Sequence, residues 1–104
     1  MLKIEFEFRK GIFFIRLIGD LNKESYKEQE LEIEKLIMDN GFKYIVLNTN
    51  HLSTIDLDGL NYLTKISYII KENKSDLIIC DKFKIFKVLT NNNIPNIEDE
   101  IEVL

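Results

Sequence analysis

Residues 2–18 carry two different strand patterns in succession, and this is the tightest constraint on what the chain can fold into. Leu2, Ile4, Phe6 and Phe8 alternate with Lys3, Glu5, Glu7 and Arg9, a period of two that marks a half-buried strand. Lys10-Gly11 is a turn signal. Ile12, Phe13, Phe14, Ile15, Leu17 and Ile18 then form a nearly continuous apolar run, broken by Arg16. Large and β-branched side chains on both faces of so short a run predict a more deeply buried strand, and the two together a hairpin.

From there the periodicity changes. Lys23 to Asp39 predicts a helix with Tyr26, Ile33, Leu36 and Ile37 on one stripe, capped by Asn22 and stopped by Asn40-Gly41. Tyr44 to Leu47 is a buried strand, and Asn48 to Ile55, rich in Asn, Thr, Ser and His, reads as a loop. A second helix spans about Leu57 to Asn73, with Asp56 as its cap. Leu77 to Cys80 is a further strand. Asp81 would cap a third helix, Lys82 to Leu89, with Phe83, Phe86 and Leu89 inward. Ile94 to Ile97 reads as a short extended piece, and Glu98 to Leu104 as a last helix with Ile101 and Leu104 inward. The order is β-β-α-β-α-β-α-(β)-α. Strands alternating with helices imply a partly parallel sheet covered by helices.

The chain has 104 residues, the size of one small domain, and no internal repeat or linker divides it. With 14 basic and 18 acidic residues the formal charge is −4, which argues against nucleic acid or an anionic membrane as the main partner. The single cysteine, Cys80, excludes an internal disulfide and suits a cytoplasmic setting. No apolar run reaches transmembrane length, and the run after Arg9 and Lys10 contains Arg16 and makes a poor signal peptide. The common phosphate-loop, dinucleotide, nucleophile-elbow and zinc-protease motifs are all missing, which shifts the reading toward a binding or regulatory module.

The most informative stretch is Tyr44 to Leu63. A buried strand leads through polar residues to Asp56-Leu57-Asp58-Gly59-Leu60 at a helix start, placing two carboxylates at the positive end of a helix dipole. This strand–loop–helix resembles the central motif of STAS domains, the family of the anti-sigma factor antagonists. The matching residues are Val46 to Thr49 and Thr54 to Leu60. Arg16 to Leu21 resembles the family's strand–Gly–acidic–Leu signature. Asp76 to Cys80 with Phe83 to Leu89, and Ile97 to Leu104, resemble its later elements.

The resemblance implies a single STAS-like α/β domain over residues 1–104, a mixed sheet of four to five strands covered by about four helices. It implies a non-enzymatic, bacterial partner-switching module in transcription regulation that binds a protein, a kinase-type anti-sigma factor, with no cofactor. The partner surface carried over is Asn48, Ser53, Thr54, Asp56, Leu57, Asp58, Gly59, Asn61 and Tyr62. In the family a serine of the helix-start motif is phosphorylated by the partner; the matching position here is Asp58, which has no hydroxyl. The usual switch therefore cannot operate at that position. Asp58 is either a built-in charge resembling the phosphorylated state or a favourable first-turn residue. Ser53 and Thr54 are the nearby hydroxyls.

Two other functions stand beside this one: an accessory subunit of a transport complex or sensory assembly, which STAS-like domains also serve as, and a small enzyme using Asp56 and Asp58. Two carboxylates two residues apart at a helix start diverge, which disfavours an acid–base pair. His51 reads as a solvated residue rather than a metal ligand, since no regular ligand spacing surrounds it. Cys80 reads as a core thiol, the group Phe6, Phe8, Phe13 and Phe14 as core packing, and Lys82, Lys84 and Lys87 as a solvated helix face. Monomer or weak dimer is the expected assembly.

Overall fold

The computed structural model describes residues 1–84 and 94–104. Its elements are β1 (Leu2–Arg9), β2 (Ile12–Leu21), α1 (Lys23–Lys27), α2 (Glu30–Asn40), β3 (Tyr44–Ile55), α3 (Leu57–Glu72), β4 (Asp76–Cys80) and β5 (Asn96–Ile97), closed by a 3-10 helix, Glu100–Val103. One sheet of order β1-β2-β3-β4-β5 joins all five strands. β1 is antiparallel to β2, and every later pairing is parallel. The hairpin is set by its turn: Lys10 (φ 52) and Gly11 (φ 80) both lie in the left-handed region, as the twist-matched two-residue turn requires.

Alternation along the strands splits the interior into two layers. Phe13, Ile15 and Leu17 of β2, Ile45 and Leu47 of β3, and Leu77 and Ile79 of β4 pack against Ile33 and Ile37 of α2 and Leu63, Ile66 and Ile70 of α3. Phe14, Val46 and Cys80 point the other way, into a smaller cluster completed by Ile12, Ile78, Ile97 and Val103. At the β1 end of the helix-covered layer the rings of Phe6, Phe13, Phe42 and Phe8 form a row, with successive centroids 5.8, 4.0 and 5.7 Å apart. Its last member, Phe8, is 61% exposed.

Four expectations are corrected. The helix expected over Lys23 to Asp39 is two helices. α1 is closed on itself by a reciprocal Asn22–Ser25 capping box. A tight turn follows, in which the Gln29 N–H bonds the Tyr26 carbonyl, and the Gln29 side chain reaches the Leu2 carbonyl at 2.9 Å. Asn48 to Ile55 is not a loop but the second half of β3. Its backbone continues the ladder to β2, with register shifts that leave Ser53 opposite no residue, while β4 ends at Cys80 opposite Asn48. Among the described residues that half has a strand neighbour on one side only, so it needs no apolar run.

Phe83 is not inward but 63% exposed beneath the Lys82 ammonium, in a turn closed by the Lys84 N–H on the Asp81 carbonyl. The remainder of that expected helix, Phe86 and Leu89 included, lies outside the described residues. The last helix is a 3-10 turn, and its period of three puts Glu100 and Val103 on the sheet side and leaves Ile101 74% exposed. Leu104 is likewise exposed rather than inward.

The expected caps form: Asp56 accepts from the Gly59 N–H at 2.8 Å, Asn22 from the Ser25 N–H at 3.0 Å, and Gly41 ends α2 in the left-handed region. Gly59 also lets α3 approach the end of β2, because a Cβ there would fall on the Leu21 carbonyl. Gly-to-Ala in a helix ordinarily stabilises. Gly59→Ala should reverse that sign and cost about 2 kcal/mol or more through overpacking against backbone, read as a lowered urea midpoint.

Candidate functional site

Two polar constellations flank the carboxyl ends of the parallel strands, the part of an open α/β sheet where function commonly collects. The first is built where β3 turns into α3. The Asp56 N–H bonds the Leu21 carbonyl at 3.3 Å, and the Thr54 hydroxyl donates to Asp20 at 2.7 Å, so both ends of the junction are tied to β2. That hydrogen bond is the main reason the Asp20 carboxyl lies below its ordinary value. Ser53, Thr54, Asp56, Leu57, Asp58 and Asn61 are exposed around this junction. Leu57, in the first turn of α3, is 71% exposed.

Three of the residues assigned to the partner surface lie behind it instead. Gly59 is buried against Leu21. Asn48 is buried in the sheet and donates to Glu100 at 2.6 Å. Tyr62 is 3% exposed, its ring stacked on Tyr26 at 4.2 Å, and its hydroxyl is buried with no hydrogen-bond partner among the described residues. Burial, together with the Glu34 and Glu30 charges, raises its phenol well above the ordinary value. Those two carboxylates are occupied by Lys65, at 3.1 and 2.7 Å.

The second constellation was not foreseen. On the face of the sheet opposite the helices, Arg16 makes a two-pronged contact with Glu100, its Nε and Nη2 donating at 2.8 and 2.7 Å, and Nη2 also reaches Glu7 at 2.7 Å. Its guanidinium lies 5.4 Å over the Phe14 ring. These contacts raise Arg16 further above its ordinary range, the Glu100 bond most, and hold Glu100 below the usual carboxylate range. Asn50 extends the cluster: its amide donates to the Glu98 carbonyl at 2.8 Å and to Cys80 Sγ at 3.2 Å, and its oxygen accepts from the Lys82 N–H at 2.8 Å. Burial, reinforced by Glu100 and its acidic neighbours, pushes the Cys80 thiol up to about 11.

His51, Lys82, Glu98 and Asp99 complete a shallow recess of about 350 Å³ beside this cluster. The one signal for it in the sequence is Arg16, a lone cation inside an apolar strand. Asp56 turns its carboxylate to its own helix, so Asp56 and Asp58 do not form a paired acid and base. Among the described residues no three His, Cys, Asp or Glu side chains are grouped as a metal site, and no helix is long and apolar enough to cross a membrane.

Comparison with known proteins places this architecture. The STAS domain model matches residues 3–90. The chain belongs to the STAS domain family. It is 25% identical over 80 residues to the anti-sigma F factor antagonist of Paenibacillus polymyxa, across 77% of this chain and 68% of that protein. Among solved structures, the anti-sigma factor antagonist SpoIIAA in its unphosphorylated form superposes with a TM-score of 0.77 at 16% identity, covering 99% of this chain and 93% of its own. An anti-sigma factor antagonist from Mycobacterium paratuberculosis gives 0.76 at 12% identity, covering 98% and 90%. The STAS fold is therefore the fold of this chain, five strands in sequential order and mixed direction, with the α-helices of the described residues on one face, and its likeness is to the antagonists.

Two outcomes follow. Removing a buried hydroxyl that bonds nothing should stabilise, so Tyr62→Phe is expected to gain about 1 kcal/mol in denaturant unfolding. Glu100 titrates lower folded than unfolded, so its stabilisation is complete above the ordinary glutamate range and is lost as pH falls through its depressed value. The Tm gap between the native protein and Glu100→Gln should be widest at neutral pH and close in acid.

Proposed function

We propose that this STAS domain is a non-enzymatic regulatory module that binds a kinase-type anti-sigma factor through Ser53, Thr54, Asp56, Leu57, Asp58 and Asn61. The observation that carries the reading is Leu57: an apolar side chain held 71% exposed on the first turn of α3, with the exposed Asp56 and Asp58 beside it. An apolar anchor within a polar rim, on a rigid support, is how protein interfaces are built. The support is supplied by Gly59 against Leu21 and by the bonds from Asp56 and Thr54 to β2. Similarity to proteins named anti-sigma factor antagonists supports the choice of partner.

Asp58 acts in this reading as a permanent single charge where a phosphoserine would bring about −1.5 to −2, so the module is not switched by phosphorylation at that position. The hydroxyl of this junction open to modification is that of Ser53, exposed at an unpaired position of β3 and with no hydrogen-bond partner among the described residues. The Thr54 hydroxyl is already engaged by Asp20.

Titration calorimetry against the kinase-type anti-sigma factors of the same genome should find one that binds at micromolar concentration. Leu57→Asp should weaken that complex by about tenfold or more while leaving the fold intact. With the kinase and ATP, the native chain should take no label at position 58, and Asp58→Ser should become a substrate. If none of those kinases binds, and Asp58→Ser changes nothing, the reading fails. Binding to a transporter subunit instead would favour the accessory-subunit role.

A further inference from the structure

The outer edge of β1 is open over one half of its length and closed over the other. The Asp20 N–H bonds the Met1 carbonyl, continuing the β1–β2 register in which Leu2 faces Gly19. In an antiparallel ladder these bonded pairs recur at every second residue. The backbone groups of Lys3, Glu5, Glu7 and Arg9 are therefore turned to β2, and those of Leu2, Ile4, Phe6 and Phe8 face outward. The Leu2 carbonyl is taken by Gln29, which shuts the upper edge. From Ile4 to Phe8 no element among the described residues covers the edge, and it ends at the exposed ring of Phe8. An open strand edge of this kind is a template for pairing.

We propose that this STAS domain self-associates through that edge, two copies of β1 pairing antiparallel about a two-fold axis at Glu7 to give one continuous ten-stranded sheet. The occupant and the register follow from the side chains. With the axis at Glu7, Phe6 of each copy bonds Phe8 of the other through outward-facing backbone groups, extending the aromatic row across the axis. In the same register Glu5 stands opposite Arg9 of the second copy, twice, in the closer non-bonded spacing. Glu5 meets Lys3 and Arg16 of its own copy only at 3.6 and 3.9 Å, and Arg9 has no carboxylate partner among the described residues, so Arg9 of the second copy can join Glu5.

Shifting the axis to Phe6 would instead oppose Lys3 to Arg9 and Glu5 to Glu7. Shifting it to Glu5 or Ile4 would require the Leu2 position that Gln29 occupies. The one like-charge meeting, Glu7 on Glu7, is offset because each Glu7 is held by its own Arg16 at 2.7 Å. The two-fold axis lies roughly 20 Å along β2 from Leu21 and the start of α3, so both junction surfaces remain free at the far ends of the pair.

Sedimentation equilibrium on the full chain tests this without any other protein. Because an edge contact is at the small end of interface sizes, a reversible monomer–dimer equilibrium is expected at about 10–1000 µM. Arg9→Glu should weaken it about tenfold, and Glu5→Arg combined with Arg9→Glu should restore it. Lys74→Glu, an exposed change at the α3–β4 turn away from β1, should leave it unchanged. A chain that remains monomeric over that range overturns the proposal. So does a dimer insensitive to Arg9→Glu, one weakened by Lys74→Glu, or a folded double variant that does not recover.

Discussion

β2 has to be covered on both faces, and the rest of the molecule is arranged around that need. Phe13, Ile15 and Leu17 point to one side of the sheet and Phe14 to the other, all of them buried. The first side receives the helices, which the parallel crossovers deliver to it. Among the described residues the second receives a short cover, the 3-10 turn with Val103, and most of what anchors that cover is polar. Arg16 is the link between the two requirements. It belongs to the buried strand, its stem and guanidinium lie over Phe14, and its fork fixes Glu100. A cation in an apolar run is here the means by which a small apolar face is closed with few residues.

Most of the fold was legible because its pieces announce themselves locally. The alternation of Leu2 to Arg9, the turn at Lys10-Gly11, the stripes of α2 and α3 and the caps at Asn22 and Asp56 each depend on neighbours a few residues away. What was missed depends on distance. The second half of β3 is polar because β4 stops at Cys80, which β3 itself does not record. The break after α1 is fixed by Gln29 reaching Leu2, and the orientation of the C-terminal turn by Arg16. Expecting an α-helical period there put Ile101 inward, whereas a period of three selects Glu100 and Val103.

The candidate surface divides along the same line. Asp56, Leu57 and Asp58 are exposed because a helix start projects its cap and first turn, and the helix start was readable; Ser53 is exposed at a register shift of β3, which was not. Tyr62 belongs to the apolar stripe of α3 that its own spacing defines, so its burial agrees with the periodicity and not with a contact role. Its unpaired hydroxyl is a local loss of stability directly beneath the surface, next to Glu30 and Glu34, which already serve Lys65. Stability and surface chemistry are thus adjusted within two turns of one helix.

The contact between Arg16 and Glu100 joins residues 84 positions apart. Closing so long a loop costs entropy that only an already formed sheet can offset, because β2 must be in place to present the arginine. The helix-covered layer, made from β2 through β4, contains what it needs to assemble first. The C-terminal turn is then expected to dock late, on a surface made without it, so that loss of the Arg16–Glu100 contact would speed unfolding more than it slows folding.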